Sequence, residues 1–335
     1  MELFTQNEVL SYVRDREYKP LLGETLFPER KQPSLKLDQL SGGSRIPIAA
    51  SIHDFDTEAE IGSRIANKQE LELSLIKRKL QLKETDIIAL ENPRTPAEQA
   101  YLVCQVYNDI DSLVAGVRAR VEAMRMEVLA AGQVTVKENG LNFTLDYHVP
   151  AEHKEALTGT NVWTNENSDP LADIERWIDA LDTKPTRALT SRKIYRALAT
   201  HPKIIAAIFG KDSGRVVSQA DLDAFMETHG YPVIRTYDEK YKVQEADGTY
   251  TTKKYFPENK FAMFNDDLLG ETLYGPTAEE TRLTRDPAVD TSLVGNVLAS
   301  VYDETRDPVG TWTKAVATAL PSFAAADEVF QAQPI

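Results

Sequence analysis

The chain has 335 residues, a length that fits two domains of ordinary size, and 42% of its residues are hydrophobic. Its 52 acidic and 38 basic residues give a net charge of −14, which argues against binding nucleic acid or an anionic membrane through a broad basic face. One cysteine excludes an internal disulfide, and no apolar run approaches the ~18 residues of a transmembrane helix. We also expect no signal peptide, because the N-terminus lacks a basic segment followed by an apolar one.

Residues 1–32 are predicted to form an extended arm. Pro20, Gly23 and Pro28 interrupt this segment, and the apolar residues between them show no helical period. The segment is nevertheless too apolar for a solvated tail, so we expect the arm to lie along its own body or along a neighbouring copy.

Residues 33–82 are predicted to form a long β-hairpin that projects from the body. Glu70 to Leu75 alternates strictly between acidic and apolar residues, and Gly42-Gly43-Ser44 is typical of a turn. The charged residues of the hairpin are Asp54, Asp56, Glu58, Glu60 and Arg64 near its tip and Lys77, Arg78 and Lys79 at its end. These two sets either belong to a solvated face or pair with the opposite set of a neighbouring copy.

Residues 95–131 are predicted to form one helix of about 50 Å, which we call the spine helix. Thr95 is the expected N-cap, Pro96 the first helical residue and Gly132 the end. Arg118 falls on the face opposite an apolar stripe with steps of three and four residues. The stripe consists of Val106, Ile110, Leu113, Val117, Val121, Met124 and Val128.

A β-hairpin and a separate α/β lobe are predicted to follow the spine helix. The hairpin turns at Asn139-Gly140, which favours a type I′ turn, and alternation over 141–149 predicts one buried face. The lobe covers residues 168–285. Its helices are expected to begin after Asp169, Ser191 and Ser218, and its strands to cover 187–190, 233–243, 249–255 and 260–264. Residues 292–330 are predicted to form short β-segments that return beside the spine helix.

The sequence shows no convincing catalytic or metal-binding constellation. The histidines lack the three- or four-residue spacing of a helical metal site, so surface or capping roles are predicted for them. They are His53, His148, His153, His201 and His229. Cys104 is interpreted as a buried structural thiol, because neither a base nor an orienting group is near it in the sequence. We therefore expect no enzyme activity, no metal and no cofactor, with a hydrolase as a remote alternative.

Four stretches of the lobe, taken in order with the arm, hairpin and spine helix before them, suggest a family. They are DPLADIERW at 169–177, HPKII at 201–205, KYFPENKFAM at 254–263 and GETLYGPTAEE at 270–280. In these stretches and in the order of its elements, the chain resembles the major head proteins of tailed bacteriophages, the lambda head protein E family.

The resemblance implies an α+β chain with the Hong Kong 97-type phage capsid fold. It places the N-terminal arm at 1–32, the extended loop at 33–82, the peripheral domain with the spine helix at 83–165 and 286–335, and the axial domain at 166–285. In that fold the arm and the loop reach over neighbouring subunits, and the axial domains gather around the five- and six-fold axes.

The resemblance also implies a function. The chain would be a structural major capsid protein that assembles as pentamers and hexamers into an icosahedral head shell around double-stranded DNA, without sequence-specific binding or membrane contact. Scaffold, portal and decoration proteins are the expected partners, the virion capsid is the expected location, and assembly is expected in the host bacterial cytoplasm. Two alternatives stay open: an encapsulin-like compartment shares the fold, and a tail or portal component would form rings or tubes.

Overall fold

The computed structural model describes residues 4–41, 67–138, 140–211, 213–245, 247–265, 268–304 and 309–335. The helices are α1 (Gln6–Asp15), α2 (Leu22–Leu26), α3 (Glu84–Glu91), α4 (Pro96–Ala131), α5 (Pro170–Asp179), α6 (Arg192–Ala199), α7 (Pro202–Phe209), α8 (Gln219–His229) and α9 (Ala278–Leu283). The strands of the first half are β1 (Glu29–Lys31), β2 (Lys36–Ser41), β3 (Asn67–Glu72), β4 (Ser74–Leu82), β5 (Gln133–Glu138), β6 (Leu141–Asp146) and β7 (Lys154–Ala156). Those of the second half are β8 (Arg187–Thr190), β9 (Val233–Thr236), β10 (Lys240–Gln244), β11 (Tyr250–Lys254), β12 (Phe261–Phe264), β13 (Thr272–Gly275), β14 (Leu298–Glu304), β15 (Gly310–Pro321) and β16 (Phe330–Gln333).

Contacts divide the chain into two units, each built from several segments. Unit one comprises Met1–Leu37, Leu71–Met124 and Glu271–Ser322. Unit two comprises Asp38–Glu70, Arg125–Gly270 and Phe323–Ile335.

Strand pairing crosses the predicted domain boundaries in both directions. β7 and β16 lie in ranges predicted as peripheral, yet β16 pairs with β7 and with β12 of the predicted axial range. Conversely, β13 of the predicted axial range pairs with β15. The assignment of peripheral and axial domains therefore stays a proposal. Local sequence patterns do not show which distant strands pair, so they do not fix the boundary between the two domains.

β15 is the central strand of the sheet in unit one. β4 pairs antiparallel along one side of it, and β14 and β13 pair along the other side, with β1 added parallel to β13. Ala315, Ala317 and Ala319 alternate on one face of β15 and are completely buried. The strand has 12 residues, so this part of the predicted run of short β-segments is in fact one long strand.

α4 confirms the predicted spine helix. The Glu98 N–H donates to the Thr95 Oγ1 at 3.2 Å, which is the expected N-cap bond. All seven residues of the predicted apolar stripe are buried, each exposing 2% or less of its surface. Gly132 ends the helix at φ +67°, with its N–H donating to the Val128 carbonyl at 2.8 Å.

Replacing Gly132 with Ala should lower the free energy of unfolding by about 1–2 kcal/mol or more, because the left-handed backbone strains an L side chain. A Cβ there would also lie 2.6 Å from the Val149 Cγ2. Gly116, inside α4, has no atom within 4 Å of the place that a Cβ would take, so Gly116→Ala should raise the free energy of unfolding by about 0.5–1 kcal/mol. Urea unfolding of both variants checks this, and equal effects would contradict the account of Gly132.

The hairpin β5–β6 follows α4 as predicted. Its register pairs Glu138 with Leu141, and Gly140 has φ +80°, as the predicted two-residue turn requires. The predicted buried face is wrong at the tip, where Leu141 is 57% and Phe143 37% exposed, although Tyr147 and Val149 are buried. Alternation identifies a strand with two faces, but it does not show how far the layer that covers one face extends.

Unit two contains a second sheet with the strand order β7-β16-β12-β8-β9. Its core includes stacked aromatic rings, with Trp177 5.4 Å from Trp163 and 5.5 Å from Phe330 between ring centroids. The predicted 233–243 strand is two strands, because β9 pairs parallel with β8 whereas β10 pairs with β11.

The predicted helix starts of the lobe are confirmed. The Asp169 side chain accepts from the Ala172 N–H, and the Ser191 side chain from the Ile194 N–H. Ser218 caps α8 as part of a complete capping box. These caps satisfy backbone N–H groups at the starts of α5, α6 and α8.

Candidate assembly surfaces

The arm contains helices, so its prediction as an extended segment is wrong. α1 begins with a complete capping box, in which the Glu8 N–H donates to the Thr5 Oγ1 and the Thr5 N–H donates to the Glu8 carboxylate. These bonds hold the pKa of Glu8 below its usual value. The spacing of Thr5 and Glu8 is the local signal that sequence reasoning missed.

The arm lies against the spine helix of its own chain, where Asp111 is the meeting point. The Tyr12 hydroxyl donates to the Asp111 carboxylate at 2.9 Å and the Tyr18 hydroxyl at 3.3 Å. Arg16 forms an ion pair with the same carboxylate at 3.2 Å. Burial, together with the Asp111 charge, raises the pKa of Tyr18 well above its usual value, so its hydroxyl stays a donor.

A second set of contacts holds the arm about two to three helical turns further along. The Gly23 N–H donates to the fully buried carboxylate of Glu122 at 2.9 Å. Arg118 pairs with Glu24 at 2.6 Å and lies over the Tyr18 ring, 5.1 Å from its centroid. The arm therefore covers the part of the helix on which Arg118 lies, a contact that its predicted position opposite the apolar stripe does not indicate.

The candidate basic residues Lys77, Arg78 and Lys79 lie in the body sheet and not on a projecting hairpin. They are in β4, where they pair with Val316, Ala315 and Lys314 of β15. The predicted extent of the projecting loop, to residue 82, is wrong for this strand. The alternation that predicted the hairpin ends at Leu75, near the start of β4, so it does not show that β15 pairs with the rest of this strand.

The side chains of the basic set are exposed although their backbone is paired. The Lys79 ammonium lies 3.8 Å from the centroid of the Trp312 ring. Burial raises the pKa of Glu279, but the hydrogen bond from Lys314 and the nearby charges of Lys314 and Lys77 outweigh burial, so that pKa lies below its usual value. Lys77 and Lys79 thus present cations to solvent on one face of the sheet, and the Glu279 carboxylate is close to them.

The acidic candidates Asp54, Asp56, Glu58 and Glu60, together with Arg64, lie outside the described residues, as do His53 and the turn predicted at 42–44. Their pairing with the basic set stays a proposal.

The side chains considered for chemistry have structural or surface positions. The His201 Nδ1 accepts from the Lys203 N–H at 3.3 Å and caps α7, as predicted for a capping histidine. Cys104 lies on the face of α4 away from the apolar stripe and is exposed. Its prediction as a buried thiol is therefore wrong.

Within the described ranges no group of three or more His, Cys, Asp or Glu residues could hold a metal ion. In the same part of the chain, no helix combines the length and apolarity that a membrane crossing requires.

An N-terminal arm and a long spine helix are among the elements that the resemblance to phage head proteins predicted. The sequence profile of the family described as phage major capsid protein E matches residues 5–333. The chain belongs to this family, and it is a structural protein of the virion capsid shell.

Solved structures agree with this fold. A prophage capsid protein from E. coli CFT073 matches with a TM-score of 0.66 and 16% identity, covering 98% of this chain and 99% of that one. A phage-related protein from Bordetella bronchiseptica RB50 matches with a TM-score of 0.58 and 15% identity, covering 98% and 96%. The chain therefore has the Hong Kong 97-type capsid fold predicted from its sequence. No curated protein sequence matches the chain.

Proposed function

We propose that copies of this chain associate as pentamers and hexamers and close into an icosahedral head shell around double-stranded DNA. The observation that carries the proposal is the family match, which extends over residues 5–333. The proposal assigns no catalytic step to the chain, because the matched family is that of a structural capsid protein.

The charge of the chain supports confinement of DNA without tight binding. A net charge of −14 opposes close contact with phosphates, and each phosphate contact that is avoided leaves the DNA easier to package and to release. The same surplus of carboxylates favours a scaffold protein that is basic where it touches the shell. Portal and decoration proteins complete the proposed set of partners, and assembly takes place in the host bacterial cytoplasm.

We further propose that the exposed cations of β4 contact the acidic stretch 54–60 of a neighbouring copy. The support is that Lys77 and Lys79 face solvent from a rigid, paired strand, which holds a contact in place better than a loop does. Isolated exposed pairs contribute little, but a closed shell repeats each contact many times.

Sedimentation velocity of the purified full-length chain tests the self-assembly. We expect pentamers, hexamers, shells or irregular polymers that increase with protein concentration, because identical subunits meet in rings and lattices. A chain that stays monomeric at the highest reachable concentration, alone and when expressed with its scaffold, would contradict the proposed function.

A further inference from the structure

β8 and β9 run parallel, so this strand pair of unit two has two distinct ends. Arg187 pairs with Val233 at the start of the two strands, and Thr190 pairs with Thr236 at their finish. Residues that follow the strands therefore lie at one end of the pair, and residues that precede them lie at the other. The charges at these two ends differ in sign.

The first end, which we call the basic end, is built by the start of α6 and by the segment that leads into β10. The Arg192 backbone N–H donates to the Asp238 Oδ2 at 3.0 Å and joins the two segments. Between them is an open cavity of about 640 Å³. Its lining consists of Arg192, Lys193, Arg196, Asp238, Lys240, Lys254 and Glu258.

The carboxylates of the basic end are already engaged. Lys254 contacts Asp238 at 2.7 Å and Glu258 at 2.9 Å, and these bonds raise the pKa of Lys254. Arg192, Arg196 and Lys240 have exposed side chains that form no ion pair with any residue in the described part of the chain. Even with Glu239 of the adjoining cavity included, the five cations exceed the three carboxylates. The cavity therefore has positive charge available for an external acidic group.

The second end, which we call the acidic end, is formed where α5 and α8 finish, before β8 and β9 begin. The Tyr231 hydroxyl donates to the Glu175 carboxylate and joins these two segments. Burial and the Glu175 charge raise the pKa of Tyr231 to about 12. The exposed carboxylates here are Glu175, Asp179, Asp182 and Glu227.

Few cations offset the charge of the acidic end. Lys184 lines the small cavity there together with Glu175 and Asp179. Arg176, in the last turn of α5, is engaged by Glu155 and Asp173. The acidic end thus presents a surplus of negative charge on two helix ends.

We propose that the basic end of one copy receives the acidic end of the next copy in a capsomer ring, with Asp179 and Glu227 facing Arg192 and Arg196. This inference rests on the proposed function, because it requires the chain to self-assemble. A contact between opposite ends of identical subunits is head-to-tail, and such contacts close into a ring when their rotation fits the ring size.

A second copy fits the basic end better than other occupants do. Every copy carries both complementary ends, so the partner is present wherever the chain assembles. Arg192 and Arg196 are four residues apart on one face of α6, and guanidinium groups bind carboxylates with two parallel hydrogen bonds. The phosphates of DNA are the competing occupant, and the experiment separates the two.

Charge reversal at one end and at both ends tests the contact in the full-length chain. The basic-end variant is Arg192→Glu with Arg196→Glu, and the acidic-end variant is Asp179→Lys with Glu227→Lys. Each should raise the concentration at which half of the protein assembles by about tenfold or more, because like charges then face each other. The chain with all four substitutions should return to within about threefold of the unaltered protein, since the pairing is restored with its signs exchanged.

A matched control separates local pairing from net charge. It combines the two substitutions of the basic-end variant with Glu152→Lys and Glu166→Lys, which replace two exposed carboxylates outside the acidic end. Its net charge equals that of the four-substitution chain. This control should assemble as poorly as the basic-end variant. Circular dichroism and the melting temperature report folding, and if a reversed variant does not fold, Arg192→Gln with Arg196→Gln should still raise the half-assembly concentration severalfold.

Three results would overturn the inference while leaving the proposed function intact. They are unaltered assembly of the basic-end variants, failure of the four substitutions to restore assembly, and equal recovery by the control. If the basic-end variant assembles normally but its particles protect less DNA from nuclease, the cavity binds phosphate groups instead. Failure of the unaltered chain to assemble would contradict the proposed function itself.

Discussion

Val121→Asp should collapse the yield of folded protein, because Val121 is completely buried in the apolar stripe of the spine helix. An unpaired carboxylate at that position loses its hydration and finds no partner, and the valine contacts are lost as well. The expected loss is about 4 kcal/mol or more, which is comparable with the whole stability of many domains. Soluble yield and the circular dichroism of any purified protein measure the effect.

Ala115→Asp is the matched control for this substitution. Ala115 is on the exposed side of the same helix, two residues from the stripe position Val117, so its carboxylate stays hydrated. It should cost only about 0.5 kcal/mol of helix propensity. Val121→Asp protein that folds as well as the Ala115→Asp protein would show that the buried face is assigned incorrectly.

Reversing Lys77, Arg78 and Lys79 to Glu should leave the subunit folded but abolish most closed shells. The pairing of β4 with β15 uses backbone groups and does not depend on these charges. Within the subunit, Lys79 would lose its contact with the Trp312 ring, worth about 0.5–1 kcal/mol. In the proposed lattice contact, by contrast, every copy would place a like charge opposite the acidic stretch of its neighbour.

Sedimentation of the triple variant beside the unaltered protein measures shell formation, with the melting temperature as the folding control. The three Gln substitutions should give an intermediate loss, because they remove attraction without adding repulsion. Added salt should imitate the reversal weakly, since exposed charges are screened over ~8–10 Å. Normal shells from the Glu variant, or from the Gln variant should the Glu variant misfold, would contradict this role of the basic set.

Features with local causes could be predicted from the sequence. The spine helix has its cap, stripe and terminating glycine within one continuous segment, and each was found where the pattern placed it. The caps at Asp169, Ser191 and Ser218 and the turn at Gly140 are likewise set by neighbouring residues. The family resemblance added the capsid fold, which these local patterns alone do not define.

Features that depend on distant partners were predicted poorly. Arg118 was predicted on the face opposite the apolar stripe, but its contact with the arm was not predicted, because Glu24 is more than ninety residues away in the chain. Burial at the hairpin tip and the position of Cys104 depend on where a covering layer ends, which periodicity does not show. The basic residues of β4 were predicted on a projecting loop because their partner strand β15 is far away in the chain and begins only at Gly310.

Negative-stain electron microscopy of the purified, overexpressed chain tests the central claim most directly, because it shows the form of the assembly. A head-shell protein with this fold should give closed, roughly spherical shells of uniform curvature, or fragments of them, and expression with its scaffold should increase their number. Fields that contain only rings or open tubes, under both conditions, would contradict the account and point to a tail or portal component.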